Sequence, residues 1–222
     1  MNIVDNITES LKYPLNDWTK ILILTVISII PIVNFMTMGY YIRIIKSTFA
    51  GIDEVPEFDE LGELFIDGIK VLIVSIVYMI VPLIIYVVAL LPLMFYNPYS
   101  ATAGLMSGFT IVILLIDIIV SILFALVLYP AIVNMALYDG EIGAAFRFSE
   151  VLDRIKAIGW GNYIIWIIAI IITSAIVGII LGIIGIILMI ILIGFLVIAA
   201  AGAYLTMFQA RSIGLLFSET LE

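Results

Sequence analysis

An all-α, polytopic integral membrane fold is predicted by three observations: 65% of residues are apolar and only 12% charged, the mean hydropathy is +1.33, and several apolar runs are long enough to cross a bilayer. A crossing needs about 20 apolar residues, and every backbone polar group must be paired within the protein, which makes helices the predicted form. A water-soluble globule is thereby excluded. The 222 residues include no cysteine and no histidine, so disulfides, thiolate nucleophiles, imidazole bases and Cys/His zinc sites are excluded as well. No catalytic residue, cofactor or metal centre is expected.

Taken in order, residues 1–20 alternate Ile3, Val4, Ile7, Leu11 and Leu15 with Asp5, Glu9, Lys12, Asp17 and Lys20 at helical spacing. That pattern predicts a short amphipathic helix on the membrane surface, and no removable targeting segment is expected. The apolar stretch Ile21 to Ile45 is interrupted by Pro31-Ile32-Val33-Asn34. Proline removes a helical N–H and disfavours helix just before it, so this stretch is read as a short or re-entrant helical hairpin bent at Pro31. Spans are predicted over Val71 to Phe95 and about Gly108 to Leu128. The apolar run from Tyr163 to Phe208 accommodates two more, with its turn expected at Leu181-Gly182-Ile183-Ile184-Gly185.

Basic residues set the expected orientation. Arg43, Lys46 and Lys70 bracket one polar segment, Arg147, Arg154 and Lys156 lie in another, and Arg211 is near the C-terminus, whereas Tyr96 to Ser107 and the Gly182 turn carry none. The positive-inside rule then places both termini in the cytoplasm and the protein in the cell membrane. Residues 1–222 read as a single membrane domain of three antiparallel hairpins with cytoplasmic amphipathic helices, and as three pseudo-repeat units, 1–51, 52–140 and 141–222. Glu9, Asp17 and Lys20 share their spacing with Asp59, Asp67 and Lys70, and Gly39, Tyr41, Ile42 and Gly51 share theirs with Gly202, Tyr204, Leu205 and Gly214.

The segment from Gly51 through Pro56-Glu57-Phe58-Asp59 to Gly68-Ile69-Lys70 resembles a prokaryotic, largely archaeal membrane family, domain of unknown function 4013. In that family a returning helix ends at glycine, a Pro-Glu-Phe-Asp type turn follows, and Gly-x-Lys leads into the next span. The Asp17-Trp18 start and the proline of the first hairpin look similar too. The resemblance implies a multi-span membrane protein and carries no activity, substrate or catalytic residue to transfer.

Asp117 is the one acidic residue well inside a predicted span, where a carboxylate costs about 2.5–3.5 kcal/mol even on insertion scales. It must be protonated, hydrated or bound to a cation. Two readings stand: a proton or cation site with Ser121, Thr173, Ser174 and Asn34 nearby, or a neutral acid hydrogen-bonded between helices. In the solute-handling reading, Ser75 and Tyr78 also border a polar cavity, and Pro31, Pro82, Pro92 and Pro130 break helices around it.

The acids Asp53, Glu54, Glu57, Asp59, Glu60, Glu63 and Asp67 surround apolar Phe58, Leu61, Leu64, Phe65 and Ile69, predicting an acidic amphipathic helix that starts near Pro56. Its sign argues against recruitment by anionic lipid. It is read as a cytoplasmic interaction surface, or as a solvated face partly paired with Arg147, Arg154 and Lys156. Gly178 and Gly182, continued by Gly194, Ala199, Gly202 and Ala203, form small-residue surfaces read first as an intramolecular seam. Trp18, Tyr40, Tyr41, Tyr96, Tyr99, Trp160, Tyr163 and Trp166 read as an interfacial belt.

The chain lacks a phosphate loop, a dinucleotide glycine fingerprint and a metalloprotease helix, and its net charge of −8 argues against nucleic acid. The expected partner is the lipid bilayer, with room for a membrane-protein partner or a homo-oligomer. The functional expectation is non-enzymatic handling of a small solute, ion or lipid. The alternative is a scaffold subunit acting through its acidic cytoplasmic helix.

Overall fold

A computed structural model describes residues 2–94, 97, 99–100, 102–191 and 193–221. Two residues of the sequence reading, Phe95 at a predicted span end and Tyr96 of the aromatic belt, lie outside them. Among the described residues there is no strand. The helices are α1 (Ile3–Lys12), α2 (Trp18–Ile29), α3 (Phe35–Phe49), α4 (Leu61–Met94), α5 (Ala103–Leu137), α6 (Phe148–Ile158), α7 (Trp160–Leu188) and α8 (Gly194–Ser218), with short 3-10 turns at Tyr13–Asn16, Ile142–Phe146 and Met189–Ile191. Among the described residues α4, α5, α7 and α8 are long and apolar enough to cross a membrane. The protein is therefore an all-α polytopic membrane protein.

The chain divides into two compact units, Met1–Leu72 with Pro130–Glu222, and Ile73–Tyr129. In the first, α8 is the central helix and packs on α7, α3, α2 and α1. It buries Met207, Phe208, Ile213 and Phe217 against a core that includes Leu24 of α2, Tyr40, Ile44 and Ile45 of α3, and Tyr163 of α7. Tyr163 meets Phe217 edge-on at 6.2 Å and stacks on Trp166 at 6.0 Å. Away from this core, α7 turns out Ile164, Ile165, Ile168, Ile171 and Ile172. Such a continuous apolar exterior is stable only against lipid.

Local chemistry explains the helix boundaries. Asn2 caps α1 through Val4 N at 3.2 Å, and Asp17 caps α2 by accepting from Thr19 N at 2.9 Å and Lys20 N at 3.3 Å. Between α2 and α3 the chain turns over residues 30–34, where Ile32 adopts φ 72°, a left-handed conformation costly for a β-branched residue. Gly159, at φ 90°, separates α6 from α7.

Several expectations need correction. The acidic segment does not become helical at Pro56: α4 starts at Leu61 and continues without a break into the span. Residues 52–60 stay irregular because side chains from elsewhere take their carbonyls. Tyr40 donates to Pro56 O at 2.7 Å and Tyr13 to Glu54 O at 3.3 Å, Arg43 donates to Glu57 O and Asp59 O at 2.9 Å each, and the Tyr40 ring stacks on Phe58 at 4.1 Å.

The turn expected at Leu181–Gly185 is also displaced. α7 stays helical to Leu188, because glycine permits a turn without imposing one. Likewise α4 runs through Pro82 and Pro92, and α5 through Pro130, so these prolines do not break their helices. Of the small-residue seam expected between α7 and α8, Gly194 lies at a close crossing and Gly182 and Gly202 do not. A Cβ on Gly182 or Gly202 would meet nothing within 4 Å, whereas one on Gly39 would stand 1.8 Å from Leu64 O, on Gly68 1.9 Å from Phe35 O, and on Gly194 1.9 Å from Gly185 O. Close backbone crossings of α3 with the start of α4, and of α7 with α8, depend on these glycines.

Candidate functional site

In the unit Ile73–Tyr129, α5 carries Asp117 with a relative exposure of 9%, and its Oδ1 is buried without a hydrogen-bond partner. Thr110, seven residues earlier and so on the same helical face, is buried too, and its Oγ1 is likewise unpartnered. Buried polar atoms are normally paired, and here two unpartnered oxygens lie on one face of a membrane helix. Ser121, one turn beyond Asp117, is half-buried. On α4 in the same unit, Tyr78 is buried and Ser75 half-buried.

The other polar residues named with Asp117, namely Thr173, Ser174 and Asn34, belong to the first unit. Ser174 accepts from Gln209 Nε2 at 3.0 Å, tying α7 to α8, and Thr173 beside it is half-buried. Asn34 lies exposed in the turn between α2 and α3, where its carbonyl accepts from Thr37 Oγ1 at 2.7 Å. Thr110 was missed by sequence reasoning, although its seven-residue offset from Asp117 was a readable signal.

The acidic segment is committed within the protein, and to other cations than expected. Glu57 pairs with Lys20, Asp59 and Glu60 with Arg43, and Asp53 with Arg211. Asp67, buried at the start of α4, lies 2.8 Å from Lys70 Nζ and 3.6 Å from Lys46 Nζ. Lys46 also holds Asp139 at 2.9 Å. Burial alone would lower the Lys46 pKa, but the hydrogen bond to Asp139 and the charges of Asp67, Asp139 and Glu63 raise it above its usual value. The same hydrogen bond, with the Lys46 charge, holds Asp139 below the ordinary carboxylate range.

Arg147 and Lys156, the expected partners, instead pair locally with Glu141, Glu150 and Asp153. Arg154 Nε donates to Asn134 Oδ1 at 2.7 Å, and Asn134 Nδ2 donates to Ala144 O at 2.8 Å. This fully buried asparagine ties the end of α5 to α6; nothing local in the sequence marked it. Its hydrogen bond to Glu150 lowers that carboxyl's pKa. Among the described residues no three acidic side chains gather as a metal-binding group.

A second polar centre lies at the α1 end of the first unit. Arg211 of α8 is 3% exposed; it donates to Glu9 Oε1 at 2.7 Å, to Ile52 O at 3.0 Å and to Thr48 Oγ1 at 3.3 Å, and it pairs with Asp53. Its guanidinium lies 5.0 Å from the centre of the Tyr13 ring. Burial pushes the Tyr13 phenol up to about 12, against the lowering effect of Arg211. Beside these groups opens a cleft of about 360 Å³, reached also by Asp5, Thr8 and Lys12 of α1 and by Asn16. Beneath it Ser212 links Asn6 to Trp166, whose Nε1 donates to Ser212 Oγ at 2.9 Å. Sequence reasoning had used Arg211 only as a topology marker.

Comparison with known proteins adds a family and no activity. The family described as Protein of unknown function (DUF4013) matches residues 23–186. The Uncharacterized protein MJ1189 of Methanocaldococcus jannaschii is 27% identical over 143 residues, which cover 63% of this chain and 46% of that relative. The match thus spans about half the length of the curated relative. No solved structure matches the chain. The match over residues 23–186 takes in the turn at Pro31, the Pro56-Glu57-Phe58-Asp59 segment and Asp117, and on it the chain belongs to the family Protein of unknown function (DUF4013).

Proposed function

We propose that the protein is a non-enzymatic component of the cell membrane that handles a small solute or ion, with Asp117 as its intramembrane acid. The observation that carries this reading is the buried, unpartnered Oδ1 of Asp117 within an apolar span. A carboxyl in that setting is protonated, hydrated or balanced by a bound cation, and exchange between these states is a means of handling a proton or ion. Thr110 adds a second unpartnered oxygen on the same helical face.

The scaffold reading has less support, because Asp53, Glu57, Asp59, Glu60 and Asp67 of the acidic segment are already paired with cations of the same chain. For orientation, α1 and the segment after α3 both reach Arg211. This supports α2 and α3 leaving and returning on one membrane side, the side the basic residues mark as cytoplasmic.

The test is carboxyl-stretch infrared difference spectroscopy of wild type against Asp117→Asn in bilayers, across pH and with Na⁺, K⁺ or Mg²⁺. The expected result is a band that titrates or moves with one cation. A band fixed as the neutral acid under every condition overturns the proposal.

A further inference from the structure

Asp117 is the one charged residue between Ile73 and Tyr129, so no basic side chain of its own unit balances it. The ion it handles is a metal cation or a proton, and the two make different demands on the surroundings. A metal cation must regain the oxygens it gives up with its water, about six for a divalent ion. Membrane cation sites take many of these from the carbonyls of unwound helices. Here α5 is helical from Ala103 to Leu137, and the carbonyls around Asp117 are held in its helical hydrogen bonds. Thr110 Oγ1, the other unpartnered oxygen of this face, lies about 10 Å away along the axis, too far to share an ion with Asp117. Among the described residues no three acidic side chains gather. A proton needs one lone pair and no room beyond it, which a sealed Oδ1 provides.

The same face of α5 distinguishes its two ends. Toward Ala103 it presents Thr110 and, one turn further, Met106, which with Leu91, Pro92, Leu105 and Phe109 lines an open cavity of about 470 Å³. Toward Leu137 it presents Ser121 and then apolar Phe124, Leu128 and Ala131. From Asp117 the helix runs about 21 Å to Ala103 and about 30 Å to Leu137. The Ala103 end is therefore nearer, and a buried hydroxyl and a cavity lie along the way.

We propose that the ion of Asp117 is a proton, exchanged with the Ala103 end of α5 through the hydroxyl of Thr110. This rests on the reading of Asp117 as the intramembrane acid. On release, the O–H bond of the Asp117 carboxyl breaks and its proton passes to water entering between the two residues. Thr110 Oγ1 takes a proton from that water and gives its own to water on the cavity side, so Asp117 is left as the carboxylate and Thr110 is unchanged. Uptake is the reverse.

The test follows the Asp117 carboxyl stretch of the full chain in supported bilayers after a switch to D₂O, with choline, Na⁺, K⁺ or Mg²⁺ as the cation and Asp117→Asn subtracted. The band is expected to shift on deuteration to the same extent with all four cations. Thr110→Val, which keeps the shape of the side chain, is expected to slow the exchange by about tenfold or more, and Thr110→Ser to restore it. Ser107→Ala, whose hydroxyl donates to Gly104 O at 3.1 Å, is expected to exchange at the wild-type rate. Matching thermal midpoints check that the variants fold, and Thr110→Ala replaces Thr110→Val if the latter melts lower. A band that moves with one metal cation overturns this inference and keeps Asp117 as an ion site, whereas a band that neither exchanges nor responds to any ion overturns both. Exchange at the wild-type rate without the Thr110 hydroxyl, or exchange slowed by Ser121→Ala in its place, also overturns the inference.

Discussion

Arg211 Nη2 and Glu9 Oε1 form a 2.7 Å ion pair between residues 202 positions apart, so one guanidinium ties the end of α8 to the amphipathic helix that begins the chain. Asp53 closes on the same nitrogen from the segment that follows α3. Three parts of the first unit therefore share one buried cation. Its two counter-charges are exposed by 47% and 85% at their side chains, while Arg211 itself is enclosed.

That asymmetry predicts strong coupling. Glu9→Gln and Asp53→Asn are each expected to cost about 1 kcal/mol, because each removes one charged hydrogen bond from a guanidinium that keeps the other. The double variant is expected to cost more than their sum, since the enclosed cation then has no counter-charge. Thermal unfolding of the four forms in micelles measures the difference; strict additivity would contradict it.

The glycine crossings predict a sharp contrast between positions. Gly39→Ala and Gly68→Ala each push a methyl group into backbone oxygen, at 1.8 Å from Leu64 O and 1.9 Å from Phe35 O. Each should destabilise by about 1–3 kcal/mol or more, as overpacking does. Gly182→Ala and Gly202→Ala, where nothing lies within 4 Å, should match wild type in the same melting assay.

Asp117→Leu is expected to raise stability by about 1–3 kcal/mol, the cost of a buried polar atom without a partner. A functional site built from such a group trades stability for function. Thermal unfolding in lipid discs gives the sign, and a clear loss of stability would mean that Asp117 is satisfied in the resting protein.

The Lys46–Asp139 pair predicts a pH window. Asp139 is depressed from its ordinary 3.8, so its contribution is present above that value and fades as pH falls through the lower folded pKa. Lys46 is raised from 10.5, so its contribution is present below that value and fades as pH rises through the higher folded pKa. The melting difference between wild type and Lys46→Met should therefore be constant across the neutral range and shrink at both extremes. A difference that changes between pH 6 and 8, a window of about 2 units far from both values, would contradict the assignment.

Membrane sidedness is expected to follow the charges. Single cysteines at Lys12, Asp53 and Glu141 should react with an impermeant maleimide from one side only, and one at Asn97 from the other. The chain has no native cysteine to interfere. Labelling of Lys12 and Asp53 from opposite sides would rule out the paired return of α2 and α3.

Hydrophobicity and periodicity are local properties, and what depends on them was legible in the sequence: the helical membrane class, the long spans, the amphipathic α1 and the turn at Pro31. Asp117 was legible for the same reason, as one charge in an apolar run. What required the tertiary structure were relationships between distant side chains. Residues 52–60 look helical by pattern, yet Tyr13, Tyr40, Arg43 and Arg211 hold them irregular, and only folding brings those four side chains to that segment. Composition showed small residues throughout α7 and α8, but whether a glycine is needed depends on the backbone across from it, as at Gly194 and not at Gly202. Arg211 reads in the chain as a charge marking one membrane side; its burial among α1, α3 and the following segment makes it the centre of an ion-pair network, because a desolvated cation must gather its partners from wherever the fold supplies them.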